Sequence, residues 1–446
     1  MSSPAPGPAE PAHPPFGDFD AERTPDPRLV DECVHCGFCL TACPTYALWG
    51  EEMDSPRGRI HLLKVGLAGE VTLDRTYLMH FDRCLGCLAC VPACPSGVQY
   101  EPLVNAARAQ LERRGLRSAP ERWLRAVLVA VLGSRPLLRL GGLLGWVYRA
   151  LGLRWLLAAS RLRGLLPGSL AALERLLPPT RLGDLTAGLP REPPARGARR
   201  QRVGLLAGCV QAVFFREANL ATLRVLAAEG FETAVPAAGC CGALALHSGA
   251  DARARAQVRS LIAAFEAAGV DRVVVNAAGC GSHLKHVGQL LADDPVWAGR
   301  AAAFADRVVD VLELLDAAEP TAPRGPIPAR VAYHDACHLA HGQGLREAPR
   351  RVLRAIPGLD LVEVPEGELC CGSAGLYNIL QPDAARALGE RKAANLRGLA
   401  PAIVAAANPG CLLQLAQHLE GVELVHPVEL VDRSIRGADG AATRGL

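Results

Sequence analysis

Lysine is nearly absent from this 446-residue chain: Lys64, Lys285 and Lys392 are the only three, and arginine carries the rest of the positive charge. The net charge is only +3, which argues against nucleic acid as a partner and leaves the arginine excess as a compositional bias. Long hydrophobic runs are missing too. None reaches the ~18 consecutive apolar residues that mark a spanning helix, although half of the residues are apolar and a large core is available. The opening segment, Met1 to Pro27, lacks the charged-then-apolar order of a secretory signal and reads as a disordered tail. Without a signal, sixteen cysteines are not expected to form a disulfide scaffold; they belong in a reducing cytosol. No G-x-G-x-x-G turn follows a strand-like run either, so hydride chemistry on a flavin or nicotinamide is expected on another chain.

What the chain has is cysteine in a fixed rhythm. Cys33, Cys36, Cys39 and Cys43, followed by Pro44, stand at C-x2-C-x2-C-x3-C-P spacing, and Cys84, Cys87, Cys90 and Cys94, followed by Pro95, repeat it. This is the run of bacterial ferredoxins, in which the fourth cysteine ligates the other of two clusters. Three thiolates two residues apart on a tight turn point at different irons of one cluster. The spacing therefore assigns Cys33, Cys36, Cys39 and Cys94 to one [4Fe–4S] cluster, and Cys84, Cys87, Cys90 and Cys43 to a second. Zinc knots are the competing reading of C-x2-C, but zinc needs neither the third cysteine nor the Cys-Pro end.

The 40 residues from Pro44 to Arg83 are long for a connection between such runs and are expected to carry helices, one of them over Arg57 to Val65 after the Ser55-Pro56 start signal. Arg57 and Arg59 on it lie either near the thiolates or on a solvated helix start. From Leu116 to Pro190 the chain turns leucine- and arginine-rich, with Trp123, Trp146 and Trp155 and no acidic residue between Arg122 and Ala172. Such a stretch docks on a membrane surface or partner, or else packs as a linker on its own domains.

The second half is a duplication. A strand-like run ending at Cys209 is followed by a helix, a short strand, Cys240-Cys241-Gly242, another helix, the strand Arg272 to Asn276, and Cys280. The same order returns with Cys337, Cys370-Cys371-Gly372 and Cys411. Thirty residues against 32 separate the first cysteine from the pair, and 38 against 39 separate the pair from the last. Alternating strands and helices of this length imply parallel α/β units, with every cysteine just past a strand end, where such sheets place ligands. Cys209, Cys240, Cys241 and Cys280, and likewise Cys337, Cys370, Cys371 and Cys411, make two four-thiolate sets suited to a cluster. A redox-active vicinal dithiol is the alternative. The nearby His247, His283, His334, His338 and His341 read as surface or packing residues ahead of ligands.

These motifs resemble a known family. Cys33-Val34-His35-Cys36-Gly37-Phe38-Cys39, Pro56-Arg57-Gly58-Arg59-Ile60, Cys94-Pro95-Ser96-Gly97-Val98, Gly239-Cys240-Cys241-Gly242, His334-Asp335-Ala336-Cys337 and Leu369-Cys370-Cys371-Gly372-Ser373 are similar to the iron–sulfur subunit of glycolate oxidase. The cysteine pairs also resemble the CCG domains of heterodisulfide reductase subunits. That pattern places a further cysteine three residues after the last one, and here His283 and Gln414 stand there, so five-thiolate clusters are not expected.

The resemblance implies an α+β multidomain fold: a tail (1–28), an α-helical ferredoxin domain with two [4Fe–4S] clusters (29–115), a basic helical linker (116–200) and two α/β cysteine-rich CCG domains (201–322 and 323–446). It implies one or two further clusters in the CCG domains. By the same resemblance, an FAD-binding glycolate oxidase subunit oxidises the 2-hydroxy acid, and this chain passes the electrons towards membrane quinone. Its place would be the cytoplasm, with peripheral contact at the inner face of the membrane. Lactate and anaerobic glycerol-3-phosphate dehydrogenases of similar build, and a CCG-type thiol–disulfide reductase, are the alternatives.

Overall fold

The computed structural model describes residues 16–159, 166–192, 195 and 200–442. Residues 1–15, most of the expected tail, lie outside that range. From Phe16 onward the chain is docked rather than free. Phe19 is buried against Tyr77 at a ring separation of 6.5 Å, and Asp20 pairs with Arg113 at 2.8 Å. The correction has a simple physical origin: buried Phe19 and Val30, with Asp20 held by Arg113 and Gln110, together offset the ordering of the segment.

The long insert between the ferredoxin runs carries helices, as its length suggested: Pro44–Trp49, Pro56–Leu67 and Arg75–Asp82, with a short 3-10 turn at Glu52–Asp54. Proline opens the first two at a position where no backbone N–H is needed, and Ser55 caps Pro56–Leu67 by accepting from Gly58 N–H. Their inner faces, Ile60, Leu63, Tyr77, Leu78 and Phe81, close a small core with Leu103, Val104 and Leu111 of the helix Tyr100–Arg113.

The duplicated half forms two four-stranded parallel sheets. In the first, β1 (Arg202–Leu206), β2 (Glu232–Ala234), β3 (Arg272–Val275) and β4 (Val308–Asp310) stand in the order β2-β1-β3-β4. In the second, β5 (Ala329–His334), β6 (Leu359–Glu363), β7 (Ile403–Ala406) and β8 (Glu423–Val425) stand as β6-β5-β7-β8. Helices cover both faces, so the central strands read as unbroken apolar runs such as Val273-Val274-Val275. Val203 pairs with Arg272, and Val331 with Ile403, in matching register.

The repeats are not independent. The last helix, Pro427–Ala442, packs on Arg216–Ala228 of the first repeat, so Leu223 and Leu226 share one core with Val428 and Val431. Asp432 accepts from Arg224 at 2.8 Å across that contact.

The linker folds into the helices Ala119–Leu132, Arg135–Ala150, Leu153–Ala159 and Gly168–Leu176. Leu128, Val129 and Leu138 pack on the first repeat, while Leu140, Leu144, Leu151, Trp155 and Leu156 are exposed. One side of this stretch thus packs on its own domains, as the linker reading expects, and the other is left exposed. No single helix among the described residues is long and apolar enough to cross a membrane.

Candidate functional site

The sixteen cysteines are all free thiols, and they gather into groups that follow the sequence spacing. Cys33, Cys36, Cys39 and Cys94 line one small cavity with Cys90 at its wall. Gly37, at φ +88°, turns the loop between them, and the Arg57 guanidinium lies against it, donating to His35 O at 3.0 Å and to Glu52. Cys36 is exposed, and Val34 and Phe38 beside it are 69% and 67% exposed, so this set sits at the surface.

Cys43, Cys84, Cys87 and Cys90 are buried. Burial opposes a negative charge on Cys84, but the neighbouring guanidinium groups of Arg59 and Arg108, with a hydrogen bond from Gly86 N–H at 3.3 Å, hold its thiol below the ordinary value. Tyr100 OH adds a contact at 3.6 Å. Arg59 decides between the two earlier readings of its helix. It is 1% exposed, donates to His80 O at 2.6 Å and Thr45 Oγ1 at 3.3 Å, and stays charged against its burial because Cys84 stands closest in effect, ahead of Tyr100, Cys43 and Asp54. Asp54 in turn is held by Arg83 at 2.7 Å and His80 at 2.9 Å. Tyr100 and Arg108, 16 and 24 residues after Cys84 in the next helix, carried no signal in the sequence.

Each repeat brings its four thiols into a row. In the first, Cys240 lies in hydrogen-bond contact with Cys209 and Cys241, which together hold it down to about 3, and Cys241 reaches Cys280 at 3.2 Å. In the second, Cys370 lies 4.0 Å from Cys337 and in contact with Cys371, which in turn contacts Cys411. Topology explains the convergence. With strand order 2-1-3-4, the chain reverses direction across the sheet between β1 and β3, and Cys209 and Cys280 follow those two strands; Cys337 and Cys411 follow β5 and β7. Gly242 and Gly372 sit after the pairs at φ +94° and +87°, and a Cβ on Gly372 would stand 2.6 Å from Ala385 O. Only glycine fits that turn.

The strand ends of the two sheets face each other, joined by Ala278 N–H to Ala407 O at 3.0 Å and Gln343 Nε2 to Ala278 O at 3.1 Å. Between them lies a cavity of about 760 Å³ whose walls include all eight cysteines of the repeats and Cys84. The linker closes its far side with Leu138, Leu144, Leu170 and Leu173. The buried ferredoxin set meets the second repeat directly. His338 Nε2 lies 2.9 Å from Gly86 O, Leu85 and Cys87 pack with Cys370 and Tyr377, and the nearby Cys337 adds to the burial that raises the Cys87 thiol.

Of the histidines read as surface or packing residues, His283, His334 and His341 are packed inside. His283 and His334 are buried, and burial lowers them to about 4 and about 3, so both imidazoles are neutral. His247 and His338 face each other edge-to-face at 5.5 Å over the cavity. Gln414, one of the two residues in place of a fifth cysteine, is a structural group: it donates to Ala385 O at 2.9 Å and accepts from Asn378 at 3.1 Å.

Iron–sulfur clusters fit these residues. The donors are reduced, grouped in fours, approached by backbone N–H groups and, at Cys84, by buried cations; no pair is spent on a disulfide among the described residues. A dicluster ferredoxin domain joined to paired CCG domains defines an iron–sulfur electron-transfer subunit.

Comparison with known proteins agrees with the geometry. A 4Fe-4S dicluster domain matches residues 32–98, the cysteine-rich CCG domain matches 203–285 and 331–416, and the linker region of the glycolate oxidase iron–sulfur subunit matches 120–177. The glycolate oxidase iron–sulfur subunit of Escherichia coli (strain K12) is 38% identical over 415 residues, 91% of this chain and 94% of its own length. The probable glycolate oxidase iron–sulfur subunit of Bacillus subtilis (strain 168) is 35% identical over 431 residues, 94% and 96% of the two chains. Lactate utilization protein A of Oceanobacillus iheyensis is 28% identical over 242 residues, 53% of this chain. The chain belongs to the family of glycolate oxidase iron–sulfur subunits, and so is one component of an oxidoreductase complex.

Proposed function

We propose that this chain carries electrons from an FAD-binding partner subunit, where glycolate or a similar 2-hydroxy acid is oxidised, towards membrane quinone. When bound, the clusters supply one-electron carriers, which link a two-electron flavin to a distant acceptor. The observation that carries the reading is the succession of cysteine sets. It runs from the exposed Cys36 loop, through the buried set around Cys84, to the second repeat at Cys337 and Cys370, and on to the first repeat across the shared cavity.

The two ends differ in a way that suits two partners. Val34 and Phe38 give the first set an apolar tip against which a flavoprotein can dock. The other end is walled by leucines and surrounded by exposed Leu140, Leu144 and Trp155 among arginines, a composition suited to a membrane surface and to an apolar acceptor such as quinone. These features support a cytoplasmic protein with peripheral membrane contact. The cysteines of both pairs are buried and in contact with the flanking cysteines of their sets, which favours ligation over a free dithiol and so over a thiol–disulfide reductase. The substrate is selected on the partner; a lactate or glycerol-3-phosphate oxidase differs from this account only there.

The test uses the complex purified without oxygen. Glycolate is added and reduction of the clusters is followed by absorbance. Phe38→Glu should slow that reduction at least tenfold with iron content unchanged. Equal rates in the two proteins would remove the Cys36 loop as the point of entry, and no reduction by glycolate in the unmodified complex would sink the substrate reading.

A further inference from the structure

We propose that His334 is a nitrogen ligand to the metal group of the second cysteine-rich domain, making that set a mixed one of four thiolates and one imidazole. The proposal rests on the reading that this set holds iron. His334 ends β5, Cys371 follows β6, and Cys411 lies on the helix Pro409–Leu415 after β7, so three separate strand ends deliver the three side chains. Their ligand atoms all lie within 4.8 Å of one another, and all three residues are buried. Metal–sulfur bonds of about 2.3 Å and metal–nitrogen bonds of about 2.0–2.1 Å put two donors on one tetrahedral metal about 3.5–3.8 Å apart. The group is therefore already close to the size that a single metal atom requires.

A second observation points the same way. His334 is 1% exposed, and neither ring nitrogen has a hydrogen-bond partner. Buried imidazoles are normally satisfied by a carbonyl, a carboxylate or water. The nearest strong cation, Lys392, spends its ammonium on Glu366 O and Gly367 O, the latter at 3.3 Å. A metal would satisfy one nitrogen of His334 directly.

The donor count is consistent with this. Where heterodisulfide reductase subunits are expected to place a fifth cysteine, this repeat has Gln414, whose side chain is committed to Ala385 O and Asn378. His334 enters from the opposite end of the repeat and brings the set to five donors. The first repeat has not kept the same device, since three residues before Cys209 the strand carries Leu206. The two sets thus differ in chemistry despite identical cysteines. Imidazole in place of a fifth thiolate makes an iron site easier to reduce, so this set would hold a higher potential than the same set completed by cysteine.

The test is pulsed electron paramagnetic resonance on the full chain purified without oxygen, grown with ordinary or 15N-labelled histidine. The signal of this domain is identified by its loss in Cys411→Ser. A strong nitrogen coupling on that signal, changed by the labelled histidine, lost in His334→Ala and kept in His338→Ala, is the expected result. In His334→Cys the coupling should vanish and the midpoint potential of the same signal should fall. A signal from this domain without strong histidine coupling, or a coupling that survives His334→Ala, would overturn the assignment. Absence of any iron signal dependent on Cys411 would overturn the iron reading and the ligand assignment together. His334→Cys gives a second reading of the same nitrogen coupling, so a poorly folding His334→Ala leaves the decision intact.

Discussion

Replacing Arg59 with methionine isolates what a buried cation does for the second ferredoxin set. Methionine keeps the length and apolar bulk of the side chain and removes the guanidinium. Asp54 does not become an orphan, because Arg83 and His80 still hold it at 2.7 and 2.9 Å, whereas its contact with Arg59 is the longest of the three at 3.5 Å. The main partner lost is the thiolate set, since Cys84 dominates the forces that keep Arg59 charged in spite of burial. At an effective dielectric of about 20, a unit charge about 8 Å from a redox centre contributes about 2 kcal/mol, or about 90 mV on a one-electron couple. The sign follows directly: without the cation, adding an electron is harder and the midpoint falls. The lost hydrogen bonds to His80 O and Thr45 Oγ1 should cost a further 1–3 kcal/mol or so of stability, visible as a lower melting temperature. A redox titration followed by electron paramagnetic resonance reads the potential. A midpoint that does not move, or that rises, would refute the claim that Arg59 tunes this set.

Further outcomes follow from other parts of the fold. Gly372→Ala, at φ +87° and with its Cβ 2.6 Å from Ala385 O, should cost about 2 kcal/mol or more and lower iron content, whereas Gly239→Ala, with open space around it, should be near neutral; thermal unfolding and iron analysis compare them. Leu144→Glu with Trp155→Glu should release the protein from membranes or its complex with iron retained, and unchanged fractionation would rule out this face as a docking surface. Burial raises Asp310 to about 7 against an ordinary 3.8. A raised acid contributes stability that is present below its unfolded value and is lost as pH climbs through the folded one, so melting temperature should decline more steeply between about pH 4 and 7 in the native chain than in Asp310→Asn.

Much of this organisation was legible in the chain because cysteine spacing and strand periodicity are local properties. The strand expected over Arg272 to Asn276 is β3, the helix expected between Cys240-Cys241-Gly242 and that strand is Asp251–Ala267, and the helix over Arg57 to Val65 is Pro56–Leu67. The edge strands β4 and β8, three residues each, were too short to leave a pattern. What the sequence withheld is mostly non-local. Nothing in either repeat announces that the two sheets turn their strand ends towards one cavity, or that the Cys84 set packs on the second repeat rather than the first. The same holds for single residues. Arg108 reads as an ordinary helical arginine until the helix Tyr100–Arg113 places it over Cys84, and His334 reads as a strand-end histidine until β6 and β7 bring Cys371 and Cys411 beside it. Phe19 reads as part of a polar, proline-rich tail because its pocket is built by residues about sixty positions away.

The central claim is that electrons pass beyond the ferredoxin domain into the cysteine-rich repeats, and iron and sulfide analysis of protein purified without oxygen, with electron paramagnetic resonance of the same sample, tests it most directly. The account predicts about twelve or more irons per chain, counting four for each cubane of the ferredoxin domain and the remainder for the CCG repeats. About eight irons, with signals from two cubanes alone, would contradict it and confine electron transfer to the first hundred residues.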